Sequence, residues 1–279
     1  MNYAKQIRFY EDKLEQLGED KENLAYVFKE LKQWTSLDFL LHQNQPVTAE
    51  DLEKLEQIFS ALSQHKSPQY ITGRAYFRDL ILAVDDRVLI PRPETEELVE
   101  HILAENKSRF VRVLDIGTGS GAIAIALKKE RPDWKVTASD ISTDALAVAR
   151  KNAVAQQVDV TFIQSDVFEH ISGQFDIIVS NPPYIAHQDQ KEVGLNVYHS
   201  EPHLALFADE NGLAIYRQII ETAHSYLAPN GKLYFEIGYK QGLDIKHLIN
   251  QSFPQKRVRI LTDFFGKERM VVADDPRTD

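Results

Sequence analysis

The second half of this chain alternates strand and helix patterns around one glycine-rich turn, and few folds accommodate that arrangement. Val111-Arg-Val-Leu-Asp-Ile116 has the character of a buried strand. It runs into Gly117-Thr-Gly119-Ser-Gly121, from which a helix extends to about Lys129. Further strands are predicted at 135–139, 158–163, 175–180 and 232–237, with helices at 144–155, 212–227 and 241–251. Arg257–Leu261 and Arg269–Ala273 close the pattern. The loop around Gly266 is too short for a crossover helix, so these last two should pair antiparallel. The fold class expected is α/β, a doubly wound Rossmann-like sheet with an antiparallel last strand.

Residues 1–66 follow a different period. Ile7, Tyr10, Leu14 and Leu17 recur at helical spacing, as do Leu24, Val27, Phe28 and Leu31. Thr48 is placed to cap a helix whose apolar face is Leu52, Leu55, Phe59 and Leu62. No chemistry is visible there, and a small all-α N-terminal domain suited to partner recognition is expected. In 67–92, Tyr70–Arg78 and Leu80–Val84 are rich in β-branched and aromatic residues and predict a β-hairpin linker. Pro91-Arg-Pro93 then opens a helix with Glu94, Glu96 and Glu97 in its first turn, where acids suit the helix dipole. The segment 93–279 should form the main domain.

Composition narrows the function classes. The 279 residues carry a net charge of −10. Nucleic-acid affinity comes largely from lysine and arginine neutralising phosphates, so direct nucleic-acid binding is disfavoured. With no cysteine, disulfides, thiolate metal sites and a cysteine nucleophile are excluded. No apolar run approaches a membrane span, and the first residues lack the apolar core of a signal peptide. A cytoplasmic protein is expected.

The glycine loop carries the first chemical signal. Glycines at a strand-to-helix turn permit positive φ and close approach of backbone to a ligand, and the helix N-terminus offers free N–H groups. Asp140 ends the next strand, where folds of this kind set an acid against ribose hydroxyls. The spacing Gly-x-Gly-x-Gly is not that of dinucleotide sites, and no Walker lysine follows. A nucleoside bearing a non-phosphate group is the ligand left.

The second signal is Asn181-Pro182-Pro183-Tyr184, directly after the apolar run 175–180. A side-chain carbonyl, main-chain carbonyls on residues that cannot donate, and an aromatic face suit a planar –NH2 group. Alone, the element reads equally well as a turn.

Asp115–Gly121, Asp140 and Asn181–Tyr184 together resemble class I S-adenosylmethionine-dependent methyltransferases of the amino-group type. Pro68–Gly73, Leu89–Glu96, Asn181–Ile185 and Glu201–Leu206 narrow the resemblance to the protein-(glutamine-N5) methyltransferases that modify peptide chain release factors. The resemblance implies S-adenosyl-L-methionine as methyl donor, S-adenosyl-L-homocysteine as product and no metal. It implies as substrate the glutamine of the Gly-Gly-Gln loop of a release factor. Asn181 and Pro182 would accept the two amide N–H bonds, Pro183 would hold the turn, and Tyr184 would pack on the flat amide. Gly117, Thr118, Gly119, Ser120 and Gly121 would approach the methionine portion, with Asn181 beside them, and Asp140 would bind the ribose. Asp166 and Val167 would border the adenine. The position after that acid is often aromatic in the family; here it is valine, with Phe168 one place later. A ribosomal-protein glutamine methyltransferase and an adenine-N6 nucleic-acid methyltransferase are the alternatives.

Other polar residues carry weaker signals. Arg92, Glu94 and Glu96 either border the substrate or only start a helix. Glu201 and Glu236 are site-adjacent or structural. His187, His199 and His203 lack metal-ligand spacing and read as loop residues.

Overall fold

The computed structural model describes residues 1–276 and divides into two compact units, 1–74 with 193–201, and 75–192 with 202–279 as far as it is described. In the first, α1 (Tyr3–Gln16), α2 (Glu22–Lys32), α3 (Ser36–His42), α4 (Ala49–Leu62) and α5 (Pro68–Thr72) are joined by a later segment containing α9 (Leu195–Ser200). Ile7, Tyr10 and Leu14 of α1, Leu24, Val27 and Phe28 of α2, and Leu55 and Leu62 of α4 form its core. Leu17 and Leu31 depart from the expected apolar faces and are exposed. Leu17 lies at the C-cap, where α1 has already ended. A buried carboxylate crosses this core: Asp51 accepts from the Tyr3 hydroxyl at 2.5 Å and from Lys32 Nζ at 2.8 Å.

Residues 68–72 correct the hairpin expectation, being helix rather than strand. Pro68 at the first turn and left-handed Gly73 at the C-cap (φ 70°) are the stop and start signals that outweigh the β-prone Tyr70-Ile-Thr72. The hairpin begins later, as β1 (Arg74–Phe77) and β2 (Leu80–Ala83).

In the second unit α6 (Pro93–Glu105) leads into β3 (Arg112–Ile116), α7 (Ala122–Glu130), β4 (Lys135–Asp140), α8 (Thr143–Gln156), β5 (Thr161–Gln164) and β6 (Phe175–Ser180). After the short pair β7 (Ile185–Ala186) and β8 (Phe207–Ala208) come α10 (Asp209–Gly212) and α11 (Ala214–Thr222). The last elements are β9 (Leu227–Glu236), α12 (Gly242–Ser252), β10 (Arg257–Thr262) and β11 (Glu268–Asp274). The seven-stranded sheet has the order β10-β11-β9-β6-β3-β4-β5, parallel from β9 to β5. The antiparallel final strand β11 is not at the edge but inserts between β9 and β10. Burial explains the order. Met270, Val271, Val272 and Ala273 are all fully buried, whereas β10 carries exposed Arg257 and suits an edge.

Alternation along each strand splits the core into two layers. Val113, Ile177, Val179 and Tyr234 face Leu98, Ile102 and Ile125 of α6 and α7. Leu114, Ile178, Leu233 and Phe235 face Ile219 of α11 and Ile245 and Ile249 of α12. The chain runs β3, β4, β5 in one direction and returns to the other side of β3 with β6. The topological switch point therefore lies between β3 and β6, and crevices at the carboxyl ends of such strands bind ligands.

Candidate active site

The carboxyl ends of β3 to β6 surround a cavity of about 230 Å³. In the parallel register Ile116 pairs with Ser180. The next residue on each strand is therefore Gly117 on one side and Asn181 on the other, and both line the cavity.

The glycine loop is tied down by its backbone. Gly117 N and Thr118 N both donate to Ser139 O at 2.9 Å, and Gly121 N donates to Thr118 O at 2.9 Å. Gly117 and Gly119 hold φ of 71° and 55°, and a Cβ on either would meet no protein atom within 4 Å. Both line the cavity with Thr118 and Ser120, so the missing side chains leave a cradle where a ligand can lie against backbone. Gly121 departs from its expected role. Its Cβ would stand 2.8 Å from Ile125 Cδ1 and 3.2 Å from Ala149 Cβ, so it serves the packing of α7 on α8 and stays off the cavity wall. Beneath the loop, the Thr118 hydroxyl donates at 2.6 Å to Asp115, whose carboxyl is pushed up to about 7 by complete burial. Asn152 braces the loop from α8, donating to Ser120 O at 2.9 Å and to Ala83 O at 3.0 Å and accepting from Ala83 N.

Asp140 presents a shaped anion to the same cavity. One carboxylate oxygen accepts from Gly119 N at 2.8 Å and the other from Ser142 N at 2.9 Å. Burial raises its pKa, and these backbone donors oppose the rise. Each oxygen keeps a lone pair for a hydroxyl donor. Asp166 and Val167 complete this side of the wall. Val167 is β-branched yet holds φ of 47°, a costly conformation of the kind that collects at ligand sites. Phe168, one place beyond the position that is often aromatic in the family, is not among the residues lining the cavity. It stacks on Tyr226 at 4.3 Å, within the core, leaving Val167 as the apolar surface.

On the β6 side, Asn181, Pro182 and Pro183 line the cavity. Asn181 Nδ2 donates to Thr95 Oγ1 at 3.2 Å, and the Thr95 hydroxyl donates to Glu236 Oε2 at 2.5 Å. Sheet register again sets this up: Ser180 pairs with Phe235, which places Glu236 beside Asn181. Glu236 is fully buried, and desolvation pushes its carboxyl up to about 7.

Tyr184 departs from expectation, since it is not among the residues lining the cavity. Its ring packs against the layer containing Phe235 and Ile237, with Cδ2 next to Gly238. Burial pushes its phenol up to about 12, so it keeps its proton at neutral pH and is no base. Its backbone carbonyl accepts from Gln241 Nε2 at 3.0 Å, while Gln241 Oε1 accepts from Gly238 N at 3.0 Å. Gly212 passes below at φ 83°, where a Cβ would sit 2.1 Å from Tyr184 O and 2.7 Å from Gln241 Nε2. Substituting Gly212→Ala is expected to destabilise the fold by about 2–4 kcal/mol, from positive-φ strain plus overpacking. A denaturant midpoint unchanged from wild type would contradict this packing.

Of the weaker candidates, Arg92, Glu94 and Glu96 are not among the residues lining the cavity, whereas their neighbours Pro91 and Thr95 are. Glu201 is buried in the first unit. His187 and His203 lie against Phe207, and His199 stacks on His65 in the first unit. Among the described residues no group of three histidine or acidic side chains is arranged to hold a metal ion, and no helix is long and apolar enough to cross a membrane. Residues not singled out from sequence are Thr95, Asn152, Gly212 and Gln241. Thr95 lay inside a motif noted for its charges; the other three act through contacts distant in sequence.

The chain is similar to known proteins over nearly its whole length. Residues 93–204 match the family model described as methyltransferase small domain, and residues 6–73 match that described as PrmC N-terminal domain. A release factor glutamine methyltransferase from Streptococcus pneumoniae is 55% identical over 276 residues, covering 99% of each chain. One from Lactococcus lactis is 51% identical over 253 residues, covering 91% of this chain and 94% of that protein. Among solved structures, a methyltransferase from Pyrococcus furiosus aligns with a TM-score of 0.53 at 20% identity. It covers 71% of this chain and 89% of that one, a likeness of fold.

Proposed function

Because the chain belongs to the family of release factor glutamine methyltransferases, we propose that it methylates the side-chain N5 of the glutamine in the Gly-Gly-Gln loop of a peptide chain release factor. One observation carries the reading: the glycine cradle and Asn181 stand at adjacent strand ends and line one cavity. A methyl donor on the cradle and an amide held by Asn181 would thus meet without any domain having to bring them together.

The residues present fit S-adenosylmethionine. Gly117 and Gly119 have space where side chains would be, suited to a methionine portion lying on backbone. Asp140 has acceptor capacity for a ribose diol, and Val167 gives an apolar face for adenine. When bound, the cofactor supplies a methyl group on a positively charged sulfur, which already holds the driving force for transfer.

What remains for the protein is orientation. A glutamine amide nitrogen is a poor nucleophile because its lone pair is delocalised into the carbonyl. The Asn181 side-chain oxygen and the Pro182 carbonyl accept its two N–H bonds, which turns the lone pair toward the methyl carbon. Once methylated, the nitrogen would be acidic and would release to solvent water one of the two protons that Asn181 and Pro182 hold, while the sulfur would depart as a neutral thioether. No strong base is needed beforehand. Positioning of this kind contributes several kcal/mol, up to roughly 7–11 for well-oriented partners.

The test is transfer of labelled methyl from S-adenosylmethionine to purified release factor, to the same factor with its loop glutamine replaced, to ribosomal proteins and to DNA. Label is expected on the unmodified factor alone. No label there, or equal label on the replaced factor, would contradict the proposal. The net charge of −10 speaks for the protein substrate over nucleic acid.

A further inference from the structure

We propose that Glu236 and Thr95 form a positioning relay that sets which end of the Asn181 amide faces the substrate; this rests on the glutamine reading above. The direction of each hydrogen bond carries the argument. A carboxylate only accepts, so the Thr95 hydroxyl must spend its single hydrogen on Glu236 Oε2, 2.5 Å away. Thr95 Oγ1 is then left as an acceptor toward Asn181. Only the NH2 end of that amide can satisfy it, and Nδ2 lies 3.2 Å from Thr95 Oγ1. The Asn181 carbonyl oxygen is consequently the end left for the cavity, where a substrate –NH2 needs an acceptor.

Without the carboxylate the direction is lost. A neutral partner at 236 can donate, the Thr95 hydroxyl can then turn its hydrogen to Asn181, and the amide is free to flip. The flipped amide offers N–H to N–H and repels the substrate group it should hold. Thr95 and Glu236 are almost wholly buried, so water does not compete for their hydrogen bonds. Glu236 is fixed at its backbone by the Tyr216 hydroxyl, which donates to Glu236 O at 2.6 Å.

The charged and titratable groups facing Glu236 are Arg92 and Glu94 near the start of α6, Arg269 on β11, and the phenols of Tyr184 and Tyr216. Both arginines favour the carboxylate and Glu94 opposes it, while burial pushes the group up to about 7. Below that pH Glu236 is protonated and can donate, which reverses the relay. Turnover should therefore rise with pH through the neutral range.

The test uses the whole chain with T95V, T95S and E236Q. T95V and E236Q are expected to lower kcat by about 10- to 100-fold, with affinity for S-adenosylmethionine little changed. T95S should recover most of the loss seen in T95V, and E236Q should flatten the acid limb of the kcat profile. Full turnover in T95V, or an acid limb that persists in E236Q, would overturn the relay. A second readout is independent of substrate. With isotope-labelled asparagine, the Asn181 side-chain NH2 signals are identified by their absence from Asn181→Ala. They should move as Glu236 titrates and stop moving in E236Q. The same pH response in E236Q would overturn the relay whatever the substrate. Wild-type protein that shows the NMR response but leaves the release factor unlabelled would remove the glutamine reading while upholding the relay.

Discussion

Asn181→Ala is expected to lower kcat on the release factor by about 10²- to 10³-fold, the scale seen when one preorganised polar group is removed from a reacting centre. Affinity for S-adenosylmethionine, read by calorimetry, should change far less, because the cradle is held by Ser139, Asp140 and Asn152. The asymmetry separates a clamp from a structural residue. Alanine removes the oxygen that would hold the substrate amide, and it also strips Thr95 of the amide that donates to it. A variant that turns over at the wild-type rate would contradict the clamp. A variant that loses cofactor affinity and turnover together would move Asn181 to the cofactor side.

Asp140→Ala should act on the other half of the cavity. Hydrogen bonds to a charged group contribute about 1.5–3 kcal/mol each, so losing a bidentate ribose contact should weaken S-adenosylmethionine binding by roughly 100-fold or more. Alanine also releases Gly119 N and Ser142 N, which now donate to the carboxylate, and loosens the cradle. Asp140→Asn has one side-chain acceptor instead of two and should fall between wild type and alanine. Unchanged affinity in the alanine variant would show that the ribose is held elsewhere. In either case kcat at saturating cofactor should suffer less than binding, the reverse of the Asn181 pattern.

The elements that could be read from sequence are those whose signal is local. The strand–glycine–helix turn at 111–130, Asp140 at the end of the next strand and the tetrapeptide after β6 each announce themselves within a few residues. Their meeting also follows from topology, since the switch point of a doubly wound sheet gathers strand ends. What the sequence leaves open, whether Glu236 is site-adjacent or structural, and what it does not single out, such as Thr95, depend on register and on contacts between distant segments. Glu236 stands beside Asn181 only because Ser180 pairs with Phe235, and Thr95 joins them across 141 residues of sequence. Gln241 and Gly212 act on the Tyr184 backbone, which no side-chain pattern reports. Tyr70-Ile-Thr72 is helix and not strand because two terminal signals, Pro68 and Gly73, outweigh three β-prone residues. Tyr184 reads as a substrate-facing aromatic from its motif, yet its ring is taken up by the core.

In the proposed reaction one cavity sets a methyl donor against one amide nitrogen. Fragmentation mass spectrometry of the release-factor loop peptide, after reaction with this enzyme and S-adenosylmethionine, tests it most directly. A single added methyl is expected on the side-chain nitrogen of the Gly-Gly-Gln glutamine. A methyl on any other residue of the loop, or none on the glutamine after prolonged reaction, would contradict it.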